Sequence, residues 1–305
     1  MTSFKEQIEK LREGGKPTVA SLKFLSDLGS EDRAVLHDEW PKLPAKIRLR
    51  VVSSLATIAE DNIDYDFRRV FLNALEDEEA EVRREAIEGL IEDHSTLLMG
   101  RLLTILRNDP NENVREAAAI ALGRFTYNAQ CNKLGIPAEG NRLRDTLLAS
   151  ARDSGEDEEV VRRVVESLGY YHEDKEVQQL IALQYKKRDE FSESAVLAMG
   201  RTMDPEWTPI IMHELNSERP EMRYEAAHSA GEMVLKEAAP RLVDLIDDED
   251  TEVRLMAIWA LGQIGGAPAS RALTENLQSK DPAIREAAQE ALQEIAFAAD
   301  PLNVL

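Results

Sequence analysis

Apolar positions along the chain recur on two scales. The short scale is helical: Val114, Ala118 and Leu122 fall four residues apart, a spacing that places them on one face of an α-helix. The long scale is a repeat of the whole segment from Val114 to Gly123, whose anchor Val114 has counterparts at Ile47, Val82, Val160, Phe191, Met222, Val253 and Ile284. The last five anchors are each 31 residues apart. Four residues after the anchors stand Val51, Ala86, Ala118, Val164, Ala195, Ala226, Ala257 and Ala288, and eight after them Leu55, Leu90, Leu122, Leu168, Met199, Ala230, Leu261 and Leu292. These columns predict one buried stripe on each anchor helix.

The next column holds Gly123, Gly169, Gly200, Gly231 and Gly262. A glycine inside a helix costs about 1 kcal/mol relative to alanine, so its recurrence predicts a neighbouring helix too close for a side chain. A second amphipathic segment precedes each anchor helix, for example Trp207 to Leu215 and Ala238 to Ile246. Asp250 and Asp281 are placed as N-caps, with Pro282 at a first helical position, and Asn111 and Asp157 fill the same slot elsewhere. The unit is helix, turn, helix.

Three stretches carry the fullest signature: Asp109-Pro110 with Val114-Arg115 and Ala121-Leu122-Gly123; Asp248 to Asp250 with Val253-Arg254 and Ala260-Leu261-Gly262; and Asp281-Pro282 with Ile284-Arg285. The pattern resembles the HEAT-repeat family, in particular the short bacterial repeats also found in phycobilin lyases. The resemblance covers roughly residues 31–297 and implies an all-α fold. The expected architecture is an α-solenoid, a right-handed superhelix of about eight HEAT-type helix-turn-helix repeats with terminal caps. Residues 1–30 are expected as an N-terminal helical cap with an amphipathic helix through Val19, Leu22, Leu25 and Leu28. Residues 31–297 form the solenoid, and 298–305 a tail whose Leu302, Val304 and Leu305 could fold back with Phe297. The slot after the anchor holds Arg48, Arg83, Arg115, Arg223, Arg254 and Arg285, interrupted by Val161 and Ser192. In the family this arginine joins a ladder with turn aspartates of adjacent repeats, for which Asp77, Asp109 and Asp248 are available, so the resemblance implies a structural row and not an anion site.

Composition narrows the function. The formal charge is −21, from 58 acidic and 37 basic side chains, and clusters such as Lys186-Lys187-Arg188 are diluted by nearby acids. Nucleic acid is therefore not the expected partner, because such binding needs a basic stripe to neutralise phosphates. The acidity serves either as a solvated, soluble surface or to steer a basic protein partner in a salt-sensitive way. The single cysteine, Cys131, permits no intramolecular disulfide and suits a reducing compartment. Met1 to Gly15 lacks the apolar run of a secretory signal and no window approaches 18 apolar residues, so a cytoplasmic protein without membrane insertion is expected.

Catalytic chemistry finds no footing. Deoxyhypusine hydroxylase, which the fold resembles, binds iron through His-Glu pairs just after the Val-Arg signature. The corresponding slots here are Leu49, Arg84, Glu116, Arg162, Glu193, Tyr224, Leu255 and Glu286, without a histidine. His172-Glu173 and His213-Glu214 lie in a turn and on an outer helix, and two such pairs need further convergent ligands to make a metal site. A repair glycosylase on such a scaffold would want a basic groove. No phosphate-binding loop, nucleophile elbow or paired-cysteine pattern occurs. The expectation is a scaffold that binds a protein, with no catalytic residue, metal or cofactor; the alternative implied by the resemblance is a phycobilin-lyase-like protein or its accessory subunit.

Departures from the period mark candidate sites. The anchors Val114 and Val160 are 46 residues apart, which places an irregular insertion at about 125–141, with Phe125, Tyr127 and Cys131 in it. Gly135, Pro137 and Gly140 predict a loop with at most one short helical turn, either functional or packed against an edge. The second departure is a stripe two and six residues after the anchors, positions that in the family tend toward the concave surface. They are polar at Arg84 and Glu88 but become Tyr224 with His228 and Leu255 with Trp259. With Leu197 one repeat earlier, and Arg124 and Arg201 near the ends of their helices, these residues form the expected partner-binding set. The competing account is that curvature buries them between repeats.

Overall fold

The structure is a computed structural model in which residues 3–12, 18–131, 133–134, 137–187 and 190–299 are described. The fold is an all-α solenoid, and no strand occurs among the described residues. The chain divides after Val164 into two compact units.

The N-terminal unit begins with α1 (Phe4–Leu11), α2 (Val19–Leu22), α3 (Ser30–Glu39) and α4 (Ala45–Asp61). It continues through α5 (Arg68–Ala74), α6 (Ala80–Glu88), α7 (Thr96–Asn108), α8 (Glu112–Gln130) and α9 (Pro137–Arg152), and the division falls within α10 (Glu158–Leu168). The C-terminal unit follows with α11 (Lys175–Tyr185), α12 (Glu190–Thr202), α13 (Thr208–Glu214) and α14 (Pro220–Glu232). Its remaining helices are α15 (Ala239–Leu245), α16 (Thr251–Ile264), α17 (Gly266–Asn276) and α18 (Pro282–Ala299). Each repeat is a packed pair, as in α7 with α8 or α13 with α14, and the anchor helices α12, α14, α16 and α18 pack in succession.

All eight anchors lie on helices, and the column four residues later is buried throughout. Ile47, Phe191 and Leu292 are half-buried members of the flanking columns. Near the N-terminus Ile8, Leu22 and Leu25 are buried, but the expected amphipathic helix is only the single turn α2 followed by a 3-10 turn, Lys23–Leu25. Asp27, at φ 54°, turns the chain out of the helix, and Val19 stays 46% exposed. Leu302, Val304 and Leu305 lie outside the described residues.

The glycine column does mark close helix approach. A Cβ on Gly169 would stand 2.9 Å from Ala198 Cα, one on Gly200 2.7 Å from Ser229 Cα, and one on Gly262 3.0 Å from Ala291 Cα. Ser229 donates to Val196 O across the same seam at 2.8 Å. Gly200→Ala should therefore destabilise by about 1–3 kcal/mol, because two backbones must part. Gly100 on α7 meets only Arg142 Nη1 at 3.8 Å, so Gly100→Ala should instead stabilise by up to about 1 kcal/mol. Urea denaturation midpoints check both signs.

The arginine row is the inter-repeat ladder. Arg48 lies 2.8 Å from Asp77, Arg83 2.7 Å from Asp109 and Arg223 2.7 Å from Asp248, each aspartate sitting in the turn of the following repeat. The same aspartates accept backbone N–H groups two residues on, from Glu79 (2.9 Å), Asn111 (3.0 Å) and Asp250 (2.9 Å). Arg115 reaches Glu156 at 2.7 Å, while Arg254 and Arg285 donate to the turn carbonyls of Asp248 and Ser279.

The expected loop over 125–141 is mostly helix, which corrects that reading. Phe125 extends the buried stripe of α8 by another turn, Thr126 is buried and donates to Gly123 O at 2.6 Å, and α8 runs on to Gln130. Pro137, taken as a breaker, starts α9, where its missing N–H is not needed. Tyr127 and Cys131 are exposed on the far end of α8 and just beyond it.

Candidate functional site

The candidate surface lies on the anchor helices of the C-terminal unit. Tyr224 and His228 project from α14, and Leu255 and Trp259 from α16, all four half-buried. The two helices are close because Gly231 leaves room for the Trp259 ring: a Cβ there would stand 2.5 Å from Trp259 Cζ3 and 3.0 Å from Ala260 Cα. The indole is thereby turned toward α14, where His228 meets it edge to face with ring centroids 5.2 Å apart.

Sequence reasoning missed the carboxylates of this surface. His228 Nδ1 is 3.7 Å from Glu225 Oε2 and its Nε2 is 3.6 Å from Glu232 Oε1, so the imidazole sits between two acids. The signal was present, since Glu225 and Glu232 stand three residues before and four after His228 on one helical face. It was hidden because such spacing is common on solvated helices. Burial pushes the Glu232 carboxyl above the ordinary glutamate range, and the nearby Glu225 charge adds to it, against the opposing pull of His228 and Arg201. Tyr224 is raised by burial and by Glu225 and Glu252.

Three members of the expected set do not offer themselves to a partner. Leu197 is 8% exposed and packs inside the unit. Arg201 donates from Nη1 to Glu166 O at 2.9 Å, with its guanidinium 5.1 Å from the Tyr170 ring centroid. Arg124, in the equivalent slot of the N-terminal unit, donates to Leu90 O at 2.9 Å, and burial lowers its pKa. Both arginines hold carbonyls at the end of the preceding repeat. Their position ten residues after an anchor returns them to the helix seam, which a count of residue types does not reveal.

The His-Glu pairs lie apart from this surface. His172 Nδ1 is 2.7 Å from Thr202 O, and the His213 side chain is 80% exposed. Among the described residues no group of three or more His, Cys, Asp or Glu is arranged to hold a metal ion, and no helix is long and apolar enough to cross a membrane.

Residues 68–136, 101–200 and 208–293 match the family model for HEAT repeats. The chain belongs to the HEAT-repeat family. As a HEAT-repeat fold it is similar to yeast importin-β (Kap95p), with a TM-score of 0.53 at 12% identity over 98% of this chain and 44% of that one. It is similar also to the Kap95p whose binding induces the switch loops of RanGDP to adopt the GTP-bound conformation, with a TM-score of 0.54 at 14% identity over 98% and 46% of the two chains. The HEAT-repeat chain thus spans less than half of Kap95p, and the likeness shows fold alone. Human deoxyhypusine hydroxylase aligns over 96% of this chain and 97% of its own at 17% identity, but with a TM-score of 0.35, too loose to argue from. No curated protein sequence matches.

Proposed function

We propose that this HEAT-repeat protein is a non-catalytic scaffold that binds another protein through Tyr224, His228, Leu255 and Trp259. The observation that carries the reading is the His228–Trp259 pair, an aromatic contact left half open on adjacent anchor helices. The equivalent positions of α6 are Arg84 and Glu88, which pair with each other at 2.8 Å on the surface. Half-open aromatic side chains of this kind are the anchors of protein interfaces.

Charge favours a basic partner. Residues 165–305 carry 27 acidic and 13 basic side chains, so the C-terminal unit holds most of the acidic excess. Cys131, exposed and outside any disulfide, accords with a cytoplasmic setting. The phycobilin-lyase alternative draws on the repeat signature alone, and no residue of the stripe favours it.

The test compares proteins captured by the wild-type chain and by a Tyr224→Ala/Trp259→Ala variant of equal helicity. A partner captured by the wild type should be lost or weakened at least about thirtyfold, the effect of removing one strong aromatic anchor. Raising salt should weaken the same capture. Identical capture by both folded proteins would refute the stripe.

A further inference from the structure

The anchor helices of the N-terminal unit are unequal. α4 has 17 residues and α8 has 19, yet α6, packed between them, has nine. α6 stops at Gly89, its C-cap residue, which lies against the Phe71 ring: any Cβ there would run into the ring. Beyond Gly89 the chain turns away through Leu90 to Ser95, and the last turns of α4 lose their neighbour. The result is a notch of about 670 Å³, floored by Phe71 and walled by Ala56, Ala59, Tyr65 and the two isoleucines Ile63 and Ile91. That volume lies within the range of sites that hold a small ligand or a few side chains.

The mouth of the notch is apolar where a surface is normally polar. Ile63 is 97% exposed and Ile91 60% exposed, one from each side. Its rim is acidic, with Glu60, Asp66, Glu88, Glu92 and Asp93. Two of these acids are already paired at the rim, Asp93 with Arg68, which also lines the notch (2.5 Å), and Glu88 with Arg84 (2.8 Å), while Arg124 donates to Leu90 O and Asp93 O. Glu60 and Glu92 are left exposed at the entrance. An apolar floor within an acidic rim selects an apolar side chain carried between positive charges.

We propose that the notch is a second docking site, distinct from the stripe of the C-terminal unit, which takes an apolar side chain of a partner protein flanked by lysine or arginine. A neutral apolar segment would leave the exposed Glu60 and Glu92 without a counter-charge, and an acidic one would be repelled.

The probe is a fluorescently labelled peptide with a Leu-Phe pair between two Lys-Arg pairs, titrated by anisotropy into the full chain. Two control peptides replace Leu-Phe by Ser-Ser or the basic residues by glutamate. Ala59→Trp, which fills the notch, and Glu60→Lys/Glu92→Lys, which reverses its rim, should each weaken binding at least about tenfold. Glu249→Lys, in the other unit, and the Tyr224→Ala/Trp259→Ala variant should stay within about twofold, so that loss of this site and loss of the stripe are read separately. Should Ala59→Trp fail to fold by circular dichroism, Ile63→Ser/Ile91→Ser replaces it, since both isoleucines are exposed. The proposal is overturned if the peptide does not bind at about 1 mM, if the Ser-Ser peptide binds as well, or if folded notch variants bind as the wild type does. It is overturned also if sedimentation shows a dimer that Ala59→Trp dissolves, because the occupant is then a second copy of the chain.

Discussion

Asp248→Ala is expected to lower the unfolding free energy of the C-terminal unit by about 3–5 kcal/mol, the usual consequence of removing one partner of a buried ion pair. Asp248 accepts from Arg223 Nε and Nη2, both at 2.7 Å, and from the Asp250 N–H at 2.9 Å. The two side chains are only 8% and 7% exposed, and the neighbouring acid, Glu249, stands 3.9 Å from Arg223 Nη2 on an exposed side chain, too distant to replace the two hydrogen bonds. Arg223 Nη1 remains satisfied by Ser217 O and Glu218 O, which keeps the guanidinium in place while Nε and Nη2 lose the hydrogen bonds that Asp248 accepted. Arg223→Met with Asp248→Leu should recover most of the loss, because an apolar pair leaves no charge behind. Denaturant unfolding of the two singles and the double closes the cycle.

The same pair sets a pH dependence. Burial alone would raise the Asp248 carboxyl, but the Arg223 hydrogen bonds and charge outweigh it and hold it below the ordinary aspartate value. A depressed folded pKa means that the stabilisation is present above the unfolded value of about 3.9 and is lost as pH falls through the lower folded one. The gap between wild type and Asp248→Ala should therefore be constant from neutrality to about pH 4 and narrow only below it. A gap that closes near pH 6 would show that another group carries the effect.

Ala226→Asp is the second large expectation. Ala226 is fully buried on α14, which packs against both α12 and α16, so the new carboxylate has neither water nor a planned partner. The loss should be about 3 kcal/mol or more at neutral pH. Here the sign of the linkage is opposite: burial raises the folded pKa, the neutral acid is the tolerated form, and the deficit should shrink as pH falls from neutrality toward about 4. Repeats contact mainly their neighbours, so hydrogen exchange should show lost protection concentrated in α12, α14 and α16. An unchanged melting temperature would mean that the buried face has been misassigned.

The candidate surface was only half legible. Tyr224, His228, Leu255 and Trp259 stood out because they break a polar column, and of these His228 and Trp259 meet. Glu225 and Glu232 did not stand out, since an acid three or four residues from a histidine is ordinary on a helix; what makes them unusual is burial, which depends on the neighbouring helices. Arg124 and Arg201 show the converse, a structural engagement that the sequence did not announce. They look like surface cations, yet the length of the arginine side chain lets the head fold back onto the carbonyls of the previous repeat.

The amino-acid sequence alone determined the helical repeat, its buried column from Val51 to Ala288 and the glycine seam, and the resemblance to HEAT repeats implied the arginine–aspartate ladder. Each is a short-range rule applied at a fixed period, and in a repeat protein the nearest neighbour in space lies one period away in sequence. Only the tertiary structure decided that α8 takes in the first six residues of the insertion, that α6 ends early over Phe71, and that Trp259 is swung against His228. Those features depend on whether two side chains from different helices fit or collide, and packing at that distance leaves no periodic trace in the chain.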